Sequence, residues 1–397
     1  MKDPALRIQD RRLKTIDLYC GAGGLSLGAA RAGLDVVAGV ELDAQALATH
    51  AANFPAARHL PLDVASLTGE DLLAQVGLAV GELDALIGGP PCQGFSVIGR
   101  RDPQDERNTL FGHFMRLVAQ TEPAFFVAEN VPGICHAKNA PVLKAALAQV
   151  PAHYQVLPPV AVQGHHYGAP TSRKRMFFLG VDTRRLPPIY AEAFLPPDDV
   201  APVRVQDALY GLPLAVTPPD SQHVEGTVWN VVGALLDGPF YARVHGCIPP
   251  GVGQADALAR YRTRRELNGH IGVVHAPEIA ARYRALTPGQ KDPVSRSVRL
   301  KLDGFCPTLR AGTGSEKGRR QAVRPIHPTE ARVITPREAA RLQGFPDWFL
   351  LPPTKWHSFR QIGNSVSPLV AEAVLSVMVR HMRTHTSALQ SVEVETA

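Results

Sequence analysis

Residues 83–96 constrain the fold more than any other stretch of this chain. Leu83-Asp84-Ala85-Leu86-Ile87 is short and apolar enough for a buried strand, and Gly88-Gly89 stops it. Pro90 and Pro91 then fix φ and remove two backbone donors, so the approach to Cys92 is stiff and non-helical. Gly94, within Gln93-Gly94-Phe95-Ser96, lets a substrate or another backbone come close. A cysteine just past a strand's carboxyl end stands where open α/β sheets hold their ligands. A lone cysteine is as readily a small buried apolar residue, so the weight falls on its surroundings.

Those surroundings repeat the same grammar. Thr15-Ile16-Asp17-Leu18-Tyr19 reads as a strand, Cys20-Gly21-Ala22-Gly23-Gly24 as a glycine turn and Leu25 to Ala30 as a helix, the opening of a nucleotide-type βα unit. The Gly-x-Gly-x-x-Gly dinucleotide pattern fails at Ser26, which leaves a turn suited to a smaller adenosine ligand without pyrophosphate. A second strand, 35–40, ends at Glu41, where such folds bind ribose hydroxyls, and a helix over 43–53 follows. Asp63-Val64 is expected at the end of a short third strand. Residues 99–107 are polar, without an apolar face, and read as a surface loop beside the cysteine. Asn108 to Gln120 resumes helical spacing, and a fifth strand, 124–128, ends at Glu129-Asn130-Val131. Strands are expected over 154–162 and 175–181. Thr335-Pro336 starts a helix, and a last helix is expected from Gln361 to about Met382.

Composition narrows the class. Apolar residues make up 45% and charged residues 20% of 397, which excludes wholesale disorder. No apolar run of membrane-spanning length and no apolar leader are read, and five scattered cysteines argue against a disulfide framework or a zinc site, so a cytoplasmic protein without metal is expected. The net charge is +6, and residues 260–324 hold fifteen Lys or Arg against five acids, a cluster able to bind phosphate.

With its motifs in order, the chain resembles the DNA cytosine-5 methyltransferases, especially those of bacterial restriction–modification systems. The resemblance rests on Asp17 to Gly24, Glu41, Asp63-Val64, Gly89 to Ser96 and Asp105-x-Arg107-Asn108-x-Leu110. It continues through Glu129-Asn130-Val131, Arg173-x-Arg175, Arg341 to Pro346 and Gln361-x-Gly363-Asn364-Ser365-Val366. Two departures stand out: Thr171 where Gln is usual, and Tyr19 where many members have Phe.

The resemblance implies an α/β fold, a doubly wound Rossmann-like S-adenosylmethionine-dependent methyltransferase domain with a smaller, irregular target-recognition domain. The expected division is 1–185 for the catalytic part, 186–330 for target recognition, 331–385 for the returning catalytic part and 386–397 for a flexible tail. Cys92 would be the nucleophile, Glu129 the group that hydrogen-bonds ring N3, and Arg173 and Arg175 the source of positive field. Tyr19, Gly21, Gly24, Glu41, Asp63, Val64, Gly89, Pro91, Leu110 and Asn364 would line the pocket for S-adenosyl-L-methionine, Glu41 taking the ribose, Asp63 the adenine amino group and Leu110 the ring. The implied partner is double-stranded DNA, with a cognate restriction endonuclease acting on the same site and a monomeric enzyme. Two other readings remain open: the same chemistry on tRNA, and an inactive DNA-binding regulator.

Overall fold

A computed structural model of the chain describes residues 12–91, 110–216, 228–232, 238–312 and 323–395, with side chains through His385. Cys92, Arg107, Asn108 and the polar loop 99–107 lie outside the described residues. Five strands run parallel: β1 (Leu13–Leu18), β2 (Leu34–Val40), β3 (Arg58–Leu60), β4 (Ala85–Gly88) and β5 (Phe125–Asn130). Three more, β6 (Tyr154–Val156), β7 (Val160–Gln163) and β8 (Lys174–Asp182), join as an antiparallel extension. The sheet order is β3-β2-β1-β4-β5-β8-β6, with β7 also on β8.

Both faces of the sheet are covered, as a parallel sheet requires. Alternation decides which core each side chain joins. Phe125 and Val127 of β5 face a core shared with Leu25, Leu27 and Val36, while Phe126 and Ala128 face Phe114, Leu117 and Ile16. The helices that supply these layers include α1 (Gly24–Arg31), α2 (Ala44–Asn53), α3 (Gly69–Val76), α4 (Leu110–Thr121) and α5 (Ala140–Leu147). Asp43 caps α2 by accepting from the Gln45 and Ala46 amides.

Beyond residue 186 the elements shorten to α6 (Val205–Leu209), α7 (Pro239–His245), α8 (Ala255–Arg264), α9 (Pro277–Ala285) and the antiparallel pair β9 (Trp229–Val231) and β10 (Glu266–Asn268). Phe240, Val244, Leu267 and Leu300 nevertheless join the core on the α1 side of the sheet. Three helices close the chain: α10 (Pro336–Gln343), α11 (Lys355–Asn364) and α12 (Pro368–Glu395). Thr335 and Glu338 form a capping box at α10.

Four sequence expectations need correction. The strand expected over 154–162 is two, because Pro158-Pro159 interrupts it. The third strand ends at Leu60, which leaves Asp63 in the following loop. The last helix is two, divided before Pro368, and its backbone stays helical to Glu395 rather than stopping near Met382. Residues 355–385 are also long and apolar enough to cross a membrane by length and composition, yet 67% of their apolar window is buried in protein. Leu369, Val374, Leu375 and Met378 spend that apolarity against α1. The two helices come so close that a Cβ on Gly28 would collide with Ala371 and the Glu372 amide.

Candidate active site

Sheet order reverses between β1 and β4, and a ligand crevice opens at the carboxyl ends of the strands at such a point. The Tyr19–Gly24 turn leaves β1 on one side of it, and Gly89-Pro90-Pro91 leaves β4 on the other. Glu41 follows β2, and Glu129 is the penultimate residue of β5.

The turn after β1 is held by the acid after β2. Gly21 N–H donates to Glu41 Oε2 at 3.0 Å, and Asp43 N–H donates to Oε1 at 2.8 Å. Burial raises the Glu41 pKa. Tyr19 takes a left-handed φ of 58°, and its hydroxyl donates to the Leu110 carbonyl at 3.0 Å, bringing the start of α4 to the same crevice. Gly21 also has a left-handed φ of 56°, and a Cβ there would meet nothing within 4 Å, so the turn leaves space on the crevice side. Gly24 serves differently: it is buried, and a Cβ would collide with the Val366 carbonyl, so it seats the segment that follows exposed Asn364. Asp63 is exposed and its Oδ1 accepts from Ala65 N–H, while Val64 is buried.

On the other side, Glu129 is 7% exposed. Antiparallel pairing sets Glu129 opposite Phe177, and Arg175, two residues earlier on β8, reaches it diagonally. Arg175 Nε lies 2.5 Å from Glu129 Oε1. Gly89 is adjacent, since a Cβ there would stand 3.5 Å from Glu129 Oε2. Asn130 Nδ2 donates to the Pro90 carbonyl at 3.3 Å, tying the stiff approach to Cys92 onto the end of β5. Pro91 is the last described residue before the cysteine and is exposed. Arg173, 4% exposed, donates through Nη1 to the Leu309 carbonyl at 2.9 Å.

The structure thus gathers Tyr19, Gly21, Glu41 and Leu110 on one side and Gly89, Glu129 and Arg175 on the other. Three further features carry no motif. Arg116 of α4 donates to the Val64, Ala65 and Leu67 carbonyls and fixes the Asp63 loop; it is the one Lys or Arg in 110–121, the available sequence signal. Leu42, beside Glu41, is 66% exposed, unusual for a large apolar residue at a strand tip. Beneath the glycine turn, Ser26 donates to Asp17 Oδ2 at 2.5 Å and stands 2.9 Å from His50 Nε2, whose Nδ1 is 3.1 Å from His59 Nε2. The Ser26 hydroxyl thus bridges the Asp17 carboxyl and the His50 ring, and His59 extends the chain from His50 Nδ1. Burial pushes Asp17 up to about 7 and His50 down to about 3.

The arginine-rich interval also divides. Arg282 pairs with fully buried Asp292, and Arg299 donates to five carbonyls, those of Tyr283, Arg284, Leu286, Pro328 and Thr329. Both hold the fold together, whereas Arg284, Arg296 and Arg310 are exposed. A cavity of about 620 Å³ lies elsewhere, among Pro202, Gln206, Tyr210, Phe240 and Arg341, and contains none of the strand-end residues.

A doubly wound sheet with a glycine turn, a β2-tip acid and an acid–arginine pair past its switch point places the chain in the Rossmann-like α/β class. The C-5 cytosine-specific DNA methylase family matches residues 13–243 and 251–380, and the chain belongs to that family. It is 38% identical over 380 residues to the Type II methyltransferase M.XorII of Xanthomonas oryzae pv. oryzae, across 93% of this chain and 85% of that protein. It is 30% identical over 391 residues to the Type II methyltransferase M.DdeI of Desulfomicrobium norvegicum, across 91% and 87% of the two chains. Among solved structures, one described as a DNA modification methyltransferase encoded within an E. coli prophage shares 46% identity and a TM-score of 0.83, over 93% of this chain and 99% of that one. The S. pombe Dnmt2 methyltransferase, at 16% identity and a TM-score of 0.55 over 93% and 99%, shares the fold. The chain is therefore an enzyme of the DNA cytosine-5 methyltransferase family, with relatives from restriction–modification systems.

Proposed function

We propose that this enzyme flips a cytosine out of a specific duplex sequence and methylates its carbon 5 through a covalent adduct on Cys92, with S-adenosyl-L-methionine as donor. The observation that carries the reading is the Glu129–Arg175 pair beside Gly89, on the strand next to the one that delivers Cys92. Carbon 5 of cytosine is too weak a nucleophile to take a methyl group directly. A thiolate adding to carbon 6 makes the ring an enamine and carbon 5 reactive. Negative charge builds on the ring as sulfur adds, and a proton passed from Glu129 to N3 neutralises it. Arg175 stabilises the carboxylate left behind. After methyl transfer a base removes the carbon 5 proton, the sulfur leaves as thiolate, and N3 returns its proton to the Glu129 carboxylate, which restores the aromatic ring, the cysteine and the acid.

The residues present fit the donor. Gly21 leaves open space, the Glu41 oxygens keep lone pairs beyond the two amide bonds they accept, and exposed Leu42 offers an apolar face beside them. When bound, S-adenosylmethionine supplies an electrophilic methyl group. Glu41 would hold its ribose, Asp63 its adenine amino group, and Tyr19, Val64, Leu110 and Asn364 its flanks. Residues 186–330 would carry target recognition, with exposed Arg284, Arg296 and Arg310 towards the duplex and a cognate endonuclease acting on the same sequence.

Cys92→Ser tests the covalent step, because a serine hydroxyl is far less ionised at neutral pH than a thiol titrating near about 8.5. The variant should lose methylation and trapping on 5-fluorocytosine DNA while keeping donor affinity. A Ser variant within about tenfold of the parent rate would remove covalent catalysis from the account.

A further inference from the structure

Arg173 and Arg175 lie two residues apart, yet they do different things. Arg175 reaches Glu129, and Arg173 reaches the backbone of residues 306–311. That segment is docked at several points. Thr171 and Cys306 form a parallel bridge in which Cys306 N–H donates to the Pro170 carbonyl at 2.9 Å and Ser172 N–H donates to the Cys306 carbonyl at 2.9 Å. The Thr171 hydroxyl donates to the same Cys306 carbonyl at 3.0 Å, so the threonine that replaces the family's usual Gln has a defined partner. Arg173 takes the Leu309 carbonyl. On the opposite side a Cβ on Gly363 would collide with Arg310 and the Ala311 amide, so the segment lies flat on α11 one residue before Asn364. Arg324, over the Phe359 ring at 4.2 Å, donates to the Arg310 carbonyl at 3.1 Å. Cys306 is fully buried and Leu309 5% exposed, whereas Arg310 points to solvent.

We propose that residues 306–311 are a strap that sets the register between DNA recognition and chemistry, and that Arg173 is a positioning residue for it. The strap joins the element carrying Arg175 to the helix ending at Asn364, and carries exposed Arg310 at a fixed offset from the Glu129–Arg175 pair. A duplex held through Arg310 then presents its flipped base to that pair only in the correct register. The inference rests on the reading of 186–330 as the recognition interval.

The test is sequence discrimination. Genomic DNA lacking cytosine-5 methylation is treated with S-adenosylmethionine and the parent, Arg173→Gln, Arg173→Lys or Thr171→Val, then bisulfite-sequenced over a time course. This gives rates at the preferred motif and at every one-base variant of it. Misplacing the strap should cut the ratio of preferred to one-base-variant rates by about tenfold in Arg173→Gln, the scale of a mismatch contribution. Arg173→Lys should recover part of that ratio, Thr171→Val should lose a smaller part, and donor affinity by calorimetry should not change. A uniform slowing at all motifs with the ratio intact would overturn the proposal and return Arg173 to the role of a source of positive field. If Arg173→Gln does not fold, an unchanged ratio in Thr171→Val and Arg173→Lys overturns it equally. Exchange of residues 186–330 with a relative of different specificity separates the two readings. If exchange leaves the motif unchanged, the recognition interval is misassigned; if it moves the motif while the point variants keep their ratio, the strap alone fails.

Discussion

The buried Asp17 carboxyl should make stability depend on pH in a way that one isosteric substitution removes. Asp17 is fully buried on β1, with Glu41 raising its pKa further and the Ser26 hydroxyl opposing the shift only in part. The native group holds its proton up to about pH 7, while the unfolded one releases it near 3.8. The native state therefore binds more protons between those values, and stability falls as pH rises through that window. Integrated from pH 5 to pH 8, the loss is about 2.5 kcal/mol. His50, held neutral by burial with its pKa near 3, acts in the opposite direction between there and its ordinary range. It is common to both proteins and cancels in a comparison. Urea denaturation of the parent and Asp17→Asn at pH 5, 6, 7 and 8 gives the difference directly. The parent's advantage should shrink by about 2.5 kcal/mol across the series. A difference constant to within about 0.5 kcal/mol would show that Asp17 is ionised in the native state and refute the argument.

Glu41→Ala removes the acceptor for the Gly21 and Asp43 amides as well as the proposed ribose partner, and should weaken S-adenosylmethionine binding by about 1–3 kcal/mol in calorimetry. Unchanged affinity would take Glu41 out of the donor site. Arg175→Gln deprives a carboxylate that is 7% exposed of its cation. Its single-turnover methylation rate should fall by about 10²-fold with donor affinity retained, and a loss smaller than about threefold would detach Arg175 from the chemistry.

The strand ends were legible because each apolar run stops at a glycine or an acid, and β1, β2, β4 and β5 all stand within a residue or two of their expected ranges. Pairing was less legible. Nothing in the local pattern of Arg173-Lys174-Arg175 tells which arginine meets Glu129, because that follows from the register Glu129↔Phe177. Within the arginine cluster, which side chains are spoken for was illegible for a related reason. Composition counts charges, but Arg282 and Arg299 are consumed by Asp292 and by backbone carbonyls that sequence spacing cannot locate. Ser26 broke a dinucleotide pattern in the sequence, and the structure gives it a positive role between Asp17 and His50, twenty-four residues apart from the latter.

The contact between α1 and α12 has a consequence for synthesis. The glycine turn and the helix after it emerge first from the ribosome, but their covering layer, Leu369 to Met382, is made last. Until then Leu25 and Leu27 lack part of the surface that buries them, so the amino-terminal half of the sheet cannot consolidate as an independent unit. A chain released early should be captured by proteases or chaperones instead of lingering as a fragment that binds methyl donor without acting. Only a finished polypeptide would compete for DNA.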